Sequence, residues 1–256
     1  MRLLAWHDGE VFEASKLQTD RPYVMQRIHT LAGDAYNLDR HIIELRSASE
    51  DLFGFSTLCG VSDARRIIAK LLELSRVGTC LSVPVVMRLD SDGSLSFEVE
   101  HPTFGRGAYM RAKRDVGIAC VMTEPLSDSQ TNASIELDAL ADSMVKHLGG
   151  ERAIWVSREG NLLSRAWRPI FVYYQQCWFT PRRFNSVEFN VALEAIKSAG
   201  YKVLVRDIHE SVLDSVDEIM SVDIMGISSF ARVKNHRLLS SVTNRVAKMM
   251  EPRIDD

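Results

Sequence analysis

An α+β/α/β chain in two domains is what the sequence predicts, on three observations. Residues 82–100 alternate apolar and polar in two runs, Val83, Val85, Met87 and Leu89, then Leu95, Phe97 and Val99. Asp92-Gly93 sits between the runs and suits a tight hairpin turn. Residues 39–54 and 62–75 switch to helical spacing. A Gly-rich, basic stretch at 101–115, "HPTFGRGAYMRAKRD", is followed by a different order of elements. The 256 residues suffice for two compact domains with substantial cores. We therefore expect an N-terminal α/β domain over 1–104, a linker over 105–115 and a C-terminal α/β domain over 116–256.

The elements follow in order. The first forty residues read as strands, and "PYVMQRIHTL" at 22–31 turns through "AGD" into "AYNL" as a hairpin. The next helix places Ile42, Leu45 and Leu52 on one face, with Asp39 as N-cap and Gly54 as its stop. Ser62 is expected to cap a second helix, and the 82–100 hairpin closes this half. The second half reads as a strand at 116–122, a polar loop at 123–133, a helix at 135–148 and a strand at 152–156. Short strands run through 161–179, and a helix at 186–199 ends at Gly200. A strand at 202–206, strands over 217–233 and a helix at 238–250 complete the chain. In the polar loop, Asn132 or Ser134 is expected to cap the helix that follows.

Composition excludes several function classes. Hydrophobic residues are 46% and charged residues 25%, ordinary for a globular protein. A net charge of -3 gives no basic surplus for nucleic acid. The apolar start stops at His7 and Asp8, too short for a signal peptide, and no later run approaches a membrane span. The four cysteines, Cys59, Cys80, Cys120 and Cys177, are far apart with no CxxC pair and no histidine cluster beside them. They read as reduced thiols of a cytoplasmic protein, not as metal ligands.

Motifs for nucleotide, serine-hydrolase or zinc chemistry are missing from the sequence. His41 at a helix start reads as a structural hydrogen-bonding group, and so does His29 between Ile28 and Thr30 in a strand. "SRAWRPIF" brings Arg165 and Arg168 close beside Trp167. Paired guanidiniums suit a carboxylate or phosphate. The plainer reading, two surface arginines flanking a core tryptophan, is slightly favoured. Arg182 and Arg183 follow a proline turn and read as solvated.

Three phrases in order resemble the class IV aminotransferase family, the D-amino-acid aminotransferase-like fold type IV of pyridoxal-phosphate enzymes. They are "RIHTLAGDAYNLDRHIIELRSASEDL", "HLGGERAIWVSREGNLLSRAWRPIFVYYQQCWFTP" and "VDEIMSVDIMGISSFARVKNHRLLSSVTNRVAKMM". The last is closest to the aminodeoxychorismate lyase branch. The resemblance covers nearly the whole chain and implies a homodimer, with a cleft built from two domains of one subunit and a loop of the other.

The resemblance also places the cofactor residues, and here they have changed. Ser129, three residues before Asn132, stands where the family has its Schiff-base lysine. Ser164 stands for the glutamate that holds the pyridine nitrogen protonated, and Pro169 for the asparagine after it. His29 stands for the phosphate-binding arginine, and Asp223 falls in the phosphate loop "SVDIMGISS". A serine cannot form an aldimine, and an acid repels a phosphate. Lys113, Lys146 and Lys234 are the lysines weighed as relocated substitutes, and none has an evident route to the cleft.

We therefore expect a homologue that has lost pyridoxal-phosphate catalysis, with no cofactor, no metal, no nucleic acid and no membrane. Its cleft, lined by His29, Ser129, Ser164, Arg165 and Arg168, would take a small anionic metabolite or serve a partner protein. One alternative is an active pyridoxal-phosphate aminotransferase or lyase with a displaced lysine. A third reading is an interaction protein whose cleft is filled by Trp167 and Tyr173.

Overall fold

Strict alternation builds the first sheet. The computed structural model describes residues 2–17, 20–78, 81–102, 104–105, 114–123, 128–223 and 226–250. Its strands are β1 (Leu4–His7), β2 (Glu10–Glu13), β3 (Tyr23–Leu31), β4 (Asp34–Ala35), β5 (Leu81–Asp90), β6 (Leu95–Val99) and β7 (Phe104–Gly105). They run in the order β2-β1-β6-β5-β3-β4, with β7 on β5, and every pairing is antiparallel. Ala32 and Gly33 link β3 to β4 with φ of 54° and 91°, the paired left-handed turn that matches strand twist. Helices α1 (Leu38–Phe53) and α2 (Val61–Leu74) cover one face. Val24, Ile28, Val83, Val85, Met87, Leu89, Phe97 and Val99 meet Ile42, Leu45, Ile68 and Leu71 there. Period 2 on the sheet and period 3.6 on the helices thus converge on one core.

Three local expectations are corrected. Asn37, in left-handed backbone, precedes α1, and Asp39 lies inside its first turn. Gly60, extended, precedes α2, so Ser62 is its second residue and not its cap. Leu52 is 39% exposed, because packing along α1 ends a turn earlier and Phe53 reaches the core in its place.

The second sheet is buried on both faces. Its strands are β8 (Asp115–Val121), β9 (Arg152–Val156), β10 (Ile170–Tyr174), β11 (Cys177–Thr180), β12 (Val203–Val205), β13 (Glu218–Asp223), β14 (Gly226–Val233) and β15 (His236–Arg237). The order is β12-β11-β10-β13-β14-β8-β9, with β15 on β14. Phe171, Tyr173, Trp178 and Met220 pack under α4 (Val187–Ser198) and α5 (Ser241–Ala247). Ile170, Val172, Phe179 and Ile219 line the other face. Such doubly buried strands read as continuous apolar runs, as "PIFVYY" does. Helix α3 (Asn132–Lys146) sets Ala141 and Val145 against Cys120, Ala153 and Trp155. The last helix is shorter than the expected 238–250, and between 161 and 169 only isolated bridges form, not strands.

Two compact units result. One is built on Met1–Gly107 with Ser129–Ala133, the other on Ala108–Asp128 with Ser134–Pro252. Most of the expected linker, including Lys113, lies outside the described residues.

Two single side chains staple the second unit. Arg114 donates to the carbonyls of Phe230, Leu238 and Leu239 at 2.6–2.8 Å, tying the start of β8 to the end of the chain's sheet. Glu218, 1% exposed, accepts from Val242 N, Thr243 N, Thr243 Oγ1 and Ser241 Oγ at 2.7–3.1 Å. One carboxylate thereby satisfies two of the orphan backbone donors at the start of α5. Replacing it with Glu218→Ala should cost about 3 kcal/mol in chemical denaturation, because the loss strands buried N–H groups.

His41 is 1% exposed, and its Nδ1 lies 2.8 Å from Gln26 Oε1, which requires an Nδ1–H donor. Burial pushes its pKa from 6.5 down to about 3, with Asp39 opposing. The neutral ring is therefore the folded form. Above pH 6.5 it adds no pH dependence; as pH falls from 6.5 towards 3 the unfolded chain takes up a proton that the fold refuses. Unfolding free energy should fall by about 1.4 kcal/mol per pH unit from this group in that window. A His41→Gln variant should lose that slope in denaturation curves recorded across the same pH range.

Candidate functional site

A four-residue turn organises the second unit's interior. Arg168 N donates to Arg165 O at 3.2 Å, closing the turn Arg165-Ala166-Trp167-Arg168 and bringing two guanidiniums to one side. Both meet Asp138, which shares the buried face of α3 with Ser134, Ala141 and Val145. Arg165 Nη1 pairs with Asp138 Oδ1. Trp167 Nε1 donates to Asp138 Oδ2 at 3.1 Å, and Arg168 Nη1 lies 3.9 Å from the same oxygen. Arg168 Nε stands 3.4 Å from Asp223 Oδ2, at the end of β13. The Arg165 guanidinium stacks 4.4 Å from the Trp155 ring centre.

This cluster is nearly dry. Arg165 is 8% and Asp138 9% exposed, and the void beside them, lined by Trp155, Ser221, Phe230 and Arg152 among others, measures about 10 Å³. That is about the room of one water. Burial first, then the neighbouring Arg168, push Arg165 well below its ordinary pKa, while Asp223 opposes. Two cations face two carboxylates, so the cluster carries no net charge to offer an anion. The plainer sequence reading, two surface arginines, is corrected: both are drawn inward because Asp138 and Asp223 neutralise them.

Ser164 turns the other way. Its Oγ accepts from Ile170 N at 3.1 Å, and the residue lines an open cavity of about 420 Å³ with Ser157, Glu159, Asn161, Leu162, Leu163, Pro181, Arg182 and Asp207. Arg182, expected to be solvated, is half-exposed and donates to Asp128 at 2.8 Å.

The remaining expected site residues belong to the first unit. His29 is buried in β3 with its ring 5.5 Å from that of Tyr36. Ser129 opens the segment Ser129–Ala133, which is pinned to β3. Met25 N donates to Gln130 O at 2.9 Å, and Thr131 bridges Val24. Asn132, expected as a helix cap, instead accepts from Tyr23 N and donates to Arg21 O. Of the five expected residues, Arg165 and Arg168 are thus the two that share one cluster. Asp138 and the lining residues Glu159, Asn161 and Asp207 were missed; an aspartate at a core-facing position of α3 was the available signal for the first.

Other chemistry finds little support. Among the described residues no group of three or more His, Cys, Asp and Glu could hold a metal ion. Cys59, Cys120 and Cys177 are free, and Cys80 lies outside the described residues. No described helix is long and apolar enough to cross a membrane.

No protein-family model matches the chain, and no curated protein matches it in sequence. Solved structures do. An aminotransferase from Brucella abortus bound to pyridoxal phosphate superposes with a TM-score of 0.81 at 14% identity, over 97% of this chain and 98% of that one. A fold IV transaminase from Curtobacterium pusillum gives 0.78 at 12% identity, over 98% and 100%. The branched-chain amino acid aminotransferase of Escherichia coli gives 0.78 at 14% identity, over 96% and 92%. The chain has the fold of the fold-type-IV aminotransferases. At such identity the likeness concerns architecture, and the chemistry rests on the residues described above.

Asp138 tests the cluster's logic. Asp138→Ala leaves Arg165 charged and buried and Trp167 without its acceptor, and should destabilise the protein by about 3–5 kcal/mol in denaturation. Asp138→Leu combined with Arg165→Met should recover most of that loss, because an apolar pair needs no compensation.

Proposed function

We propose that this chain is an aminotransferase-like protein of fold type IV that has lost pyridoxal-phosphate chemistry and keeps a pocket for a small metabolite. The observation that carries the reading is the pinned segment at Ser129. Its pairing with β3 at Gln130, Thr131 and Asn132 fixes its register, and the residues flanking Ser129 are Asp128 and Gln130. No amine stands there to form a Schiff base. Of the lysines weighed as substitutes, Lys146 is exposed at the end of α3, and Lys234 is half-exposed, 3.7 Å from Asp214.

The other positions support the same reading. Pyridoxal phosphate, when bound, supplies an electron sink whose ring nitrogen needs an acid and whose phosphate needs donors. Ser164 offers a hydroxyl already engaged by Ile170 N, where the resemblance calls for a carboxylate. Asp223 brings a negative charge to the strand end where the resemblance puts the phosphate loop; Ile224 and Met225 of that loop lie outside the described residues. The residues present do not fit the group. The homodimer implied by the resemblance belongs to this proposal.

Purified protein incubated with pyridoxal phosphate and then desalted should show no absorbance band in the near-ultraviolet and violet. A retained band that borohydride fixes onto one lysine would overturn the proposal and restore the active-enzyme reading.

A further inference from the structure

The open cavity beside Ser164 has walls that are built before any ligand arrives. Ser157 O accepts from Gly160 N at 3.0 Å, and Ser157 N donates to Asn161 O at 2.7 Å. Leu162 N donates to Ile208 O at 2.7 Å, Leu163 N to Trp155 O at 2.8 Å, and Glu210 N to Gly160 O at 2.8 Å. The His209 ring fills the space where a Gly160 side chain would stand, 2.7 Å from that Cβ position. Opposite, Arg206 N donates to Thr180 O, fixing the approach to the Pro181–Arg182 turn. The volume of about 420 Å³ lies in the range of small-molecule sites.

Its charged groups are mostly carboxylates. Ser157 Oγ accepts from Glu159 N and Asn161 N, and Ser164 Oγ from Ile170 N, so each hydroxyl keeps its O–H to donate. Glu159 and Asp207 contribute two carboxylates, and neither forms a salt bridge among the described residues. Among the described residues Arg182 is the one cation in the lining, and its charge is already met by Asp128. Leu163 and Pro181, both part-exposed, give an apolar surface for a short carbon chain, with the buried Leu162 behind them. An anion would enter a site that holds excess negative charge, whereas an ammonium group would meet its complement.

We propose that this cavity binds a small aliphatic amine, with Asp207 and Glu159 as its charge partners, Asn161 Oδ1 as a further acceptor, and Leu163 and Pro181 under its carbon chain. The proposal rests on the reading of the chain as a fold-type-IV protein without covalent cofactor chemistry, and it names the ligand class of that reading. Ser157 supports it locally: its side chain, then backbone hydrogen bonding, lowers the pKa of Glu159 and keeps the carboxylate ionised.

Putrescine and size-matched succinate, at matched ionic strength, are the probes, read by thermal denaturation and titration calorimetry. Putrescine should raise the unfolding midpoint and bind at one site, and succinate should do neither. Asp207→Asn and Glu159→Gln should each weaken putrescine about tenfold, as expected for loss of one charged hydrogen bond. Both residues are on the surface of the fold, so the variants should unfold at the parent midpoint without ligand. Binding of succinate instead, binding of neither probe, or unchanged putrescine affinity in the double variant would overturn the proposal. A borohydride-fixed lysine adduct would defeat the reading beneath it independently of these titrations.

Discussion

One buried carboxylate sets the terms for the second unit. Asp138 faces inward from α3, where its charge would be costly alone. Arg165 and Trp167 satisfy it directly, and Arg168 stands close by. The turn that delivers these groups must therefore point its first and last residues into the interior. Arg168 in turn balances Asp223 at the end of β13. Helix, turn and strand end are thus held in one charge-balanced arrangement, and an anion could bind the arginines only by displacing a carboxylate.

That arrangement divides the polypeptide at the 164–165 peptide. Arg165 goes into the dry cluster, and Ser164 lines the open cavity. The resemblance placed both in one anion-binding cleft, and the charges argue for two separate environments. One is neutral, buried and structural. The other is open and lined by two carboxylates. Arginine beside an aromatic ring is common in both binding sites and cores; here the pairing of every guanidinium decides for the core.

The sequence made the apolar framework legible because alternation and helical spacing are local signals. The 82–100 hairpin, with Val83, Val85, Met87 and Leu89 all fully buried, and β9 at 152–156 could be read directly. Helix starts could not. Asp39 and Ser62 are good capping residues that fall one or two positions inside their helices, and Asn37 and Gly60 precede them by backbone conformation, without a side-chain cap. The fate of the arginines was also hidden, because Asp138 and Asp223 are 27 or more residues away along the chain. Charge pairing at that separation leaves no local pattern. Glu159 and Asp207 were missed for the same reason: the pairing of 160–162 with 208–210 brings them to one cavity.

Architecture and chemistry make different demands on a sequence. A sheet buried on both faces asks only for apolar side chains of suitable volume at successive positions, and many sequences meet that. Schiff-base chemistry asks for one amine in one place. The segment around Ser129 is pinned through Gln130, Thr131 and Asn132, none of which needs a particular side chain at position 129. The fold therefore does not depend on that amine. The backbone around Ser157–Ser164 is a hydrogen-bonded wall, and the carboxylates of Glu159 and Asp207 line the cavity beside it.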